Sequence, residues 1–435
     1  MAVTGWFVAL LAVGIVPVVA VGADPARSFA VLLWWIVGSL ALLAIDVVLA
    51  GSPRSLILSR FLPDRVRLGE EATSEILVTN RGRRTVRALV RDGWQPTTGA
   101  PLARERVSVP PGERRRIVQT LRPFRRGERR TEHITVRSFG PLRLGARQAT
   151  IVSRGRLRVL PPFNARKHLP SRLARLRELD GATSVMVRGQ GTEFDSLRDY
   201  VRGDDVRSID WRATARRSDL VVRTWRPERD RRVVIVVDTA RTSAARIADE
   251  VRLDTAFECS LLLSALATRA DDRVDFLAVD RRIRGRITGS TGADLLAKLV
   301  DAMADIDPEI IEMDWDAVPS HVRQITSHHA FVVLITSIET PGASAGLLSV
   351  LPQLTRNHTV AVVSVTDPAV AEARNERGDR ESVYRAAAAE RAALDASRVA
   401  AAVRRLGADV VSGAPGDLPP ALADHYLALK ATGRL

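Results

Sequence analysis

Lysine is almost missing from this 435-residue chain. Only Lys167, Lys298 and Lys430 occur, so 62 of the 65 basic residues are arginine. Cysteine falls to one, Cys259. That excludes an intramolecular disulfide and any metal centre built on two or more cysteines. The lone cysteine lies in "AFECSLLLSAL", an apolar stretch with no neighbouring base, and reads as a small core residue rather than a nucleophile. No G-x-x-x-x-G-K-[ST] loop occurs, so the chain is not itself a Walker-type ATPase.

What is present is a folded, arginine-rich chain. Hydrophobic residues make up 46% and charged residues 26%, which excludes a largely disordered protein. The length leaves room for two to four domains. The formal charge is +15 and it is unevenly spread. Residues 51–160 hold 25 arginines against 9 acidic residues, a surplus of 16, so the remainder is close to neutral. GC-rich coding explains a preference for arginine over lysine. It does not explain why the surplus sits in one segment.

Two apolar runs open the chain. Trp6 to Gly22 ("WFVALLAVGIVPVVAVG") carries no charge, and Phe29 to Ala50 carries only Asp46. Each is near the roughly 20 residues that cross a bilayer core. The link "ADPARS" is short enough for a hairpin, and a signal peptide's basic start and cleavage region are missing. Residues 1–53 therefore read as two transmembrane helices, about 6–22 and 29–50. Arg54, Arg60, Arg65 and Arg67 follow the second run, whereas the link has one arginine. The positive-inside rule then puts both termini and the large C-terminal region in the cytoplasm. Asp46 lies near the cytoplasmic end, where it can reach the interface or pair with a flanking arginine.

Residues 54–161 alternate in short runs such as "SEILVTN", "TVRALVRD" and "HITVRS", separated by turn signals such as "VPPGE" and "FGPLRLG". The pattern predicts a basic β-sandwich-like domain of about seven strands. Next to a membrane helix, such a surface either attracts anionic lipid or is simply solvated.

From residue 231 the rhythm changes to buried strands alternating with helices: "RRVVIVVD", "RVDFLAV", "AFVVLITS", "TVAVVSV" and "ADVVS". Residues 231–435 thus predict a doubly wound, mainly parallel α/β sheet, whose ligands would lie at the carboxyl ends of the strands. The domain resembles a von Willebrand factor A domain. That resemblance implies a divalent-cation site of hard oxygens in which Asp238, Thr242, Thr291 and Ser337 occupy the ligand positions. Ala240 replaces one hydroxyl and Ser337 stands where an aspartate is expected, so the site is degenerate. The expectation is no cofactor, with Mg²⁺ the weak alternative.

Residues 162–230 hold a dense charge constellation, "RDYVRGDDVRSIDWRATAR". Asp199, Asp204, Asp205 and Asp210 nearly balance five arginines, which argues against a one-signed nucleic-acid grip. Asp195 and Gly203 suggest a short helix ending at a left-handed glycine. The two acids after the glycine face arginines at 198, 207 and 212, while Tyr200, Ile209 and Trp211 can anchor the segment. Three readings stay open: a structural or partner-docking joint, a carboxylate hydrolase, or an anion site. The constellation resembles the signature of the DUF58 family, through Phe194, Arg198, Tyr200, Gly203, Asp204, Asp205, Arg207, Ile209, Asp210, Trp211, Ala213 and Arg216. The resemblance implies a prokaryotic, membrane-associated protein that works beside a MoxR-type AAA+ ATPase, with no established enzymatic activity. The sequence therefore reads as a membrane-anchored, non-enzymatic adaptor in the assembly or maturation of envelope or other protein complexes. A metal-dependent hydrolase using the motif acids and an anionic-lipid-binding scaffold are its alternatives.

Overall fold

The computed structural model describes every residue except 1, 22–23, 103, 187–192, 218 and 227–230. It divides into two compact units, residues 1–160 and 161–435.

The first unit opens with a two-residue strand, β1 (Ala2–Val3), and three apolar helices, α1 (Gly5–Val13), α2 (Ile15–Ala20) and α3 (Pro25–Leu49). The first apolar run is thus not one helix but two short ones, interrupted at Gly14. A Cβ on Gly14 would lie 2.3 Å from Trp35 of α3, and the Trp35 indole N–H donates to the Leu10 carbonyl at 3.1 Å. Glycine is what lets the two arms touch. Asp24 caps α3, accepting from the Ala26 amide at 3.1 Å, with Pro25 at the first helical position. Among the described helices, α3 is the one long and apolar enough to cross a membrane. At about 1.5 Å per residue its 25 residues exceed the hydrocarbon thickness.

After α3 come β2 (Leu56–Phe61), β3 (Arg65–Arg67), β4 (Ala72–Asn80), β5 (Val86–Asp92), β6 (Glu105–Val109), β7 (Arg114–Leu121), β8 (Gly127–Phe139) and β9 (Gly145–Leu160). One sheet runs β1-β9-β8-β5-β6, with β3 added beside β9, and a second runs β2-β4-β7. Alternate residues of both sheets, including Ile76, Val78 and Ile117 from one and Val86, Val90, Ile134 and Val136 from the other, bury one apolar cluster. Arg60 of β2 reaches across to Asp92 of β5 through two bonds of 2.6 and 2.7 Å, both side chains almost fully buried. This bidentate pair ties the two sheets together, and Trp94 lies 5.3 Å from the same guanidinium.

The second unit begins with α4 (Leu169–Met186), a hairpin of β10 (Glu193–Asp199) and β11 (Val221–Arg226), and α5 (Trp211–Arg217) between them. The hairpin corrects one expectation: the stretch from Asp195 is strand, not helix. The main sheet follows. Its strands are β12 (Arg232–Asp238), β15 (Arg273–Val279), β16 (Ile283–Ile287), β17 (Phe331–Ile335), β18 (Thr359–Val365) and β19 (Asp409–Gly413), and β13 (Arg246–Ile247) and β14 (Glu250–Val251) form a small ribbon. The order is β16-β15-β12-β17-β18-β19, parallel except for β15–β16. Between the strands run α6 (Arg252–Arg269), α7 (Gly292–Ala304), α8 (Val318–Ile325), α9 (Ala345–Thr355), α10 (Pro368–Ala373) and α11 (Arg380–Arg405), and α12 (Leu418–Ala431) closes the chain. Val233, Ile235 and Val237 bury against α6, α7 and α12, while Val234 and Val236 bury against α8, α9 and α11. The continuous apolar run in β12 follows from this two-sided burial.

Candidate partner-docking site

The charge constellation lies on the β10–β11 hairpin and the turns between its strands. Phe194 takes its place in β10 opposite Trp225. Beyond β10 the chain turns at Gly203, whose φ of +117° is a backbone state that side chains disfavour. Asp204 locks that turn. It accepts from the Val201 amide at 2.9 Å and from both Arg198 Nη atoms at 2.8 and 2.6 Å. Asp205 caps the next turn by accepting from the Arg207 amide at 2.9 Å. Asp210 caps α5, accepting from the Arg212 and Ala213 amides at 2.9 and 3.0 Å, and also binds Arg223 Nε at 2.8 Å. The Tyr200 amide reaches the Leu220 carbonyl at 2.8 Å, the Asp210 amide reaches the Val221 carbonyl at 2.9 Å, and Ile209 bridges Val222. The three acids therefore build the loop between the strands.

Their electrostatics follow from these bonds. The Arg198 hydrogen bond and the Val201 amide hold the Asp204 carboxyl below the usual aspartate range. The Ala213 amide, followed by the Arg223 guanidinium, does the same for Asp210. Arg198 in turn is raised by its bond to Asp204. Carboxylates held this way are anions at neutral pH with their lone pairs already engaged. General acid catalysis needs the reverse, a carboxyl pushed up toward neutrality.

The pairing differs from the sequence expectation in its partners. Asp210 pairs with Arg223, which lies beyond the quoted constellation. Arg207, Arg212 and Arg216 form no ion pair among the described residues. Arg223 was findable in principle, since "LVVRTW" alternates as a strand whose register sets its neighbours. Trp211 also departs from expectation: it is 65% exposed rather than anchored. Val201 and Val206 are each 62% exposed, whereas Tyr200 and Ile209 are half-buried. A stretch in which Asp204, Asp205 and Asp210 are engaged thus presents three large apolar side chains outward.

At the carboxyl ends of β12 and β17 a second feature surrounds Asp238, beside a cavity of about 30 Å³ that has room for little more than a water. Asp238 accepts from the Ala240 amide at 2.8 Å, from Thr336 Oγ1 at 2.7 Å and from Thr242 Oγ1 at 3.3 Å. Burial pushes its carboxyl above the ordinary range. Thr336, not Ser337, makes the bond from β17's end; Ser337 only lines the cavity. Thr291 stands at the start of α7 without a side-chain capping bond and is not part of the lining. Glu312 and Glu339 line the cavity too, but each is paired with an arginine, Arg241 and Arg252. Among the described residues no group of three His, Cys, Asp or Glu side chains is placed to hold a metal. Of the expected donors, Asp238 and Thr242 meet here, and Thr336 takes the place expected of Ser337.

Residues 196–381 match the family model described as protein of unknown function DUF58. The chain carries a DUF58 region. Arg198 through Arg216 fall inside it, and Phe194 lies just before it. The DUF58 region and β12–β18 thus overlap. Uncharacterized proteins of Mycobacterium tuberculosis and Mycobacterium bovis are 24% identical over 192 residues, 44% of this chain and 60% of theirs. The chain therefore spans less than two thirds of the curated relatives it matches. Among solved structures, the CARDB domain of a Pyrococcus furiosus protein is 22% identical with a TM-score of 0.19, covering 24% of this chain and 91% of that one. A mutant Salmonella alpha-2-macroglobulin is 18% identical with a TM-score of 0.19, covering 24% of this chain and 7% of that one. Superpositions at that level do not bear on the fold of this chain.

Proposed function

We propose that this chain is a membrane-anchored, non-catalytic adaptor that docks a protein partner through residues 193–226. The observation that carries the reading is the hairpin itself. Its Asp204, Asp205 and Asp210 carboxylates are engaged in caps and ion pairs, while Val201, Val206 and Trp211 stand exposed beside them. Exposed apolar residues on a braced turn suit protein recognition better than chemistry. The partner class is the one the family resemblance implies, a MoxR-type AAA+ ATPase, serving assembly or maturation of envelope or other complexes.

The finer architecture belongs to this reading. The first unit is a β-sandwich-like domain carried on a membrane hairpin, and the second is von Willebrand factor A-like, supported by its strand order and single antiparallel edge. The apolar helices cross the membrane with both chain termini in the cytoplasm. Exposed Phe29 and Trp34 on α3 support lipid contact, and Arg27, in the first turn of α3, is paired with Asp24 at 3.2 Å.

Affinity purification of the full chain from native membranes tests the proposal. The parent protein should retain an AAA+ ATPase. Trp211→Ala combined with Val206→Asp should lose it without loss of folded protein. Recovery of the same partners by the variant would refute the docking site.

A further inference from the structure

The outer face of the sheet β6-β5-β8-β9 is an arginine surface. Strand alternation buries Val86, Ala88 and Val90 of β5 and turns Arg87, Leu89 and Arg91 the other way. Register aligns Arg87 with Ser108 and Phe139, and Leu89 with Arg106 and Arg137. The same face is cut by three neighbouring grooves. The largest, about 500 Å³, is lined by Arg87, Arg106 and Arg143 together with Thr4 and Trp6. A second, about 250 Å³, runs between Leu49, Arg84 and Arg87. A third, about 280 Å³, holds Arg91, Arg104 and Arg137. Among the described residues no carboxylate lines any of the three.

The grooves begin where the apolar helices end. Trp6 lies at the start of α1 and is 67% exposed, and Leu49 is the last residue of α3. Arg84 donates to the carbonyl of Val48. Thr4 binds the Leu144 carbonyl at 3.0 Å, beside Arg143. Arg143 itself holds φ +57°, a left-handed state uncommon for a side chain other than glycine. An exposed tryptophan at the foot of an apolar helix marks the depth of the lipid headgroups. The arginines then lie just outside that depth, at the level of the phosphates.

We infer that this face binds the phosphate headgroups of anionic phospholipid in the bilayer that holds the chain, an inference that rests on the membrane-anchor part of the proposed function. Guanidinium groups bind phosphate through paired N–H donors. Arg87 is shared by the two grooves nearest the helices, so a headgroup seated there meets arginine from β5, β6 and the loop before β9. The surface would fix how the first unit rests on the bilayer and would favour membranes rich in anionic lipid.

The full chain in a neutral detergent, titrated with phosphatidylglycerol or phosphatidylcholine and read by native mass spectrometry, decides it. The parent should retain phosphatidylglycerol in preference to phosphatidylcholine. Replacing Arg87, Arg106 and Arg143 by Gln should weaken phosphatidylglycerol retention roughly a hundredfold, at about fivefold per arginine. The triple Lys variant should keep most of it. Gln at Arg114, Arg115 and Arg116 on β7, an equal charge loss on the other sheet, should leave it unchanged. Equal retention of the two lipids, or equal loss from the two Gln triples, would overturn the site. Alkaline extraction of native membranes reports separately on anchoring: a chain that resists extraction yet shows no lipid preference fails this inference alone.

Discussion

Asp46 is the residue whose role the sequence left most open. It is fully buried at the end of α3, and among the described residues its side-chain partners are backbone amides rather than an arginine. Its carboxylate accepts from the amides of Leu142, Leu144 and Gly145 at 2.7, 2.9 and 3.1 Å. The "FGPLRLG" turn is thus a receptor for the end of the apolar helix. Gly140 belongs to the same fit, since a Cβ there would lie 2.2 Å from Asp46 Oδ1. Asp46→Leu would leave two buried donors, the Leu144 and Gly145 amides, without an acceptor, at about 1–3 kcal/mol each, and the part-buried Leu142 amide as well. The full chain in detergent should melt markedly lower as Asp46→Leu, and less so as Asp46→Asn, which keeps one acceptor oxygen. If both variants melt with the parent, the clamp contributes nothing.

On the scale of an element, the β10–β11 hairpin behaves as a charge-braced unit. Asp210 joins the cap of α5 to β11 through Arg223, so Asp210→Ala and Arg223→Ala remove one shared interaction. Each should speed amide exchange across residues 209–226 several-fold, and the double variant should add little to either. Additive losses would show that the two side chains act independently. The pH dependence has a definite sign. Asp204 and Asp210 titrate lower in the fold than unfolded, so their contribution is complete above the ordinary aspartate value of about 3.9 and is lost as pH falls through the folded values. The Val201 and Ala213 amide signals, followed by NMR, should therefore titrate with midpoints below that value. Midpoints above it would contradict the bracing. Asp238 and Asp272, raised by burial, act in the opposite direction and favour the fold less as pH rises through their folded values.

For the whole molecule the decisive question is topology, and Cys259 makes it accessible. The thiol is fully buried in α6, and burial pushes its pKa up, so it should stay inert to maleimide until the chain unfolds. A single exposed cysteine, Ala26→Cys, then reports on the link between the apolar arms. With the proposed topology an impermeant maleimide labels it in whole cells. Labelling only in inverted vesicles would place the link in the cytoplasm and reverse the orientation. Labelling of Cys259 in the folded parent would disprove its burial.

The sequence by itself determined what depends on neighbours along the chain. Apolar runs marked the two arms at the front, period-two alternation marked the β strands of the first unit, and unbroken apolar runs marked the strands buried on both faces in the second. The constellation from Arg198 to Arg216 was also legible, as a set of residues though not as a set of contacts. The tertiary structure decided the partnerships. Whether the residues after Asp195 form helix or strand depended on the return of β11, 22 residues further on at the nearest paired position. Asp46 found its amides 96 to 99 residues away, and Asp238 received a hydroxyl from Thr336, 98 residues on. Periodicity reports which face a side chain occupies. It carries no information about which distant loop arrives at that face, because that is set by how whole sheets and helices pack.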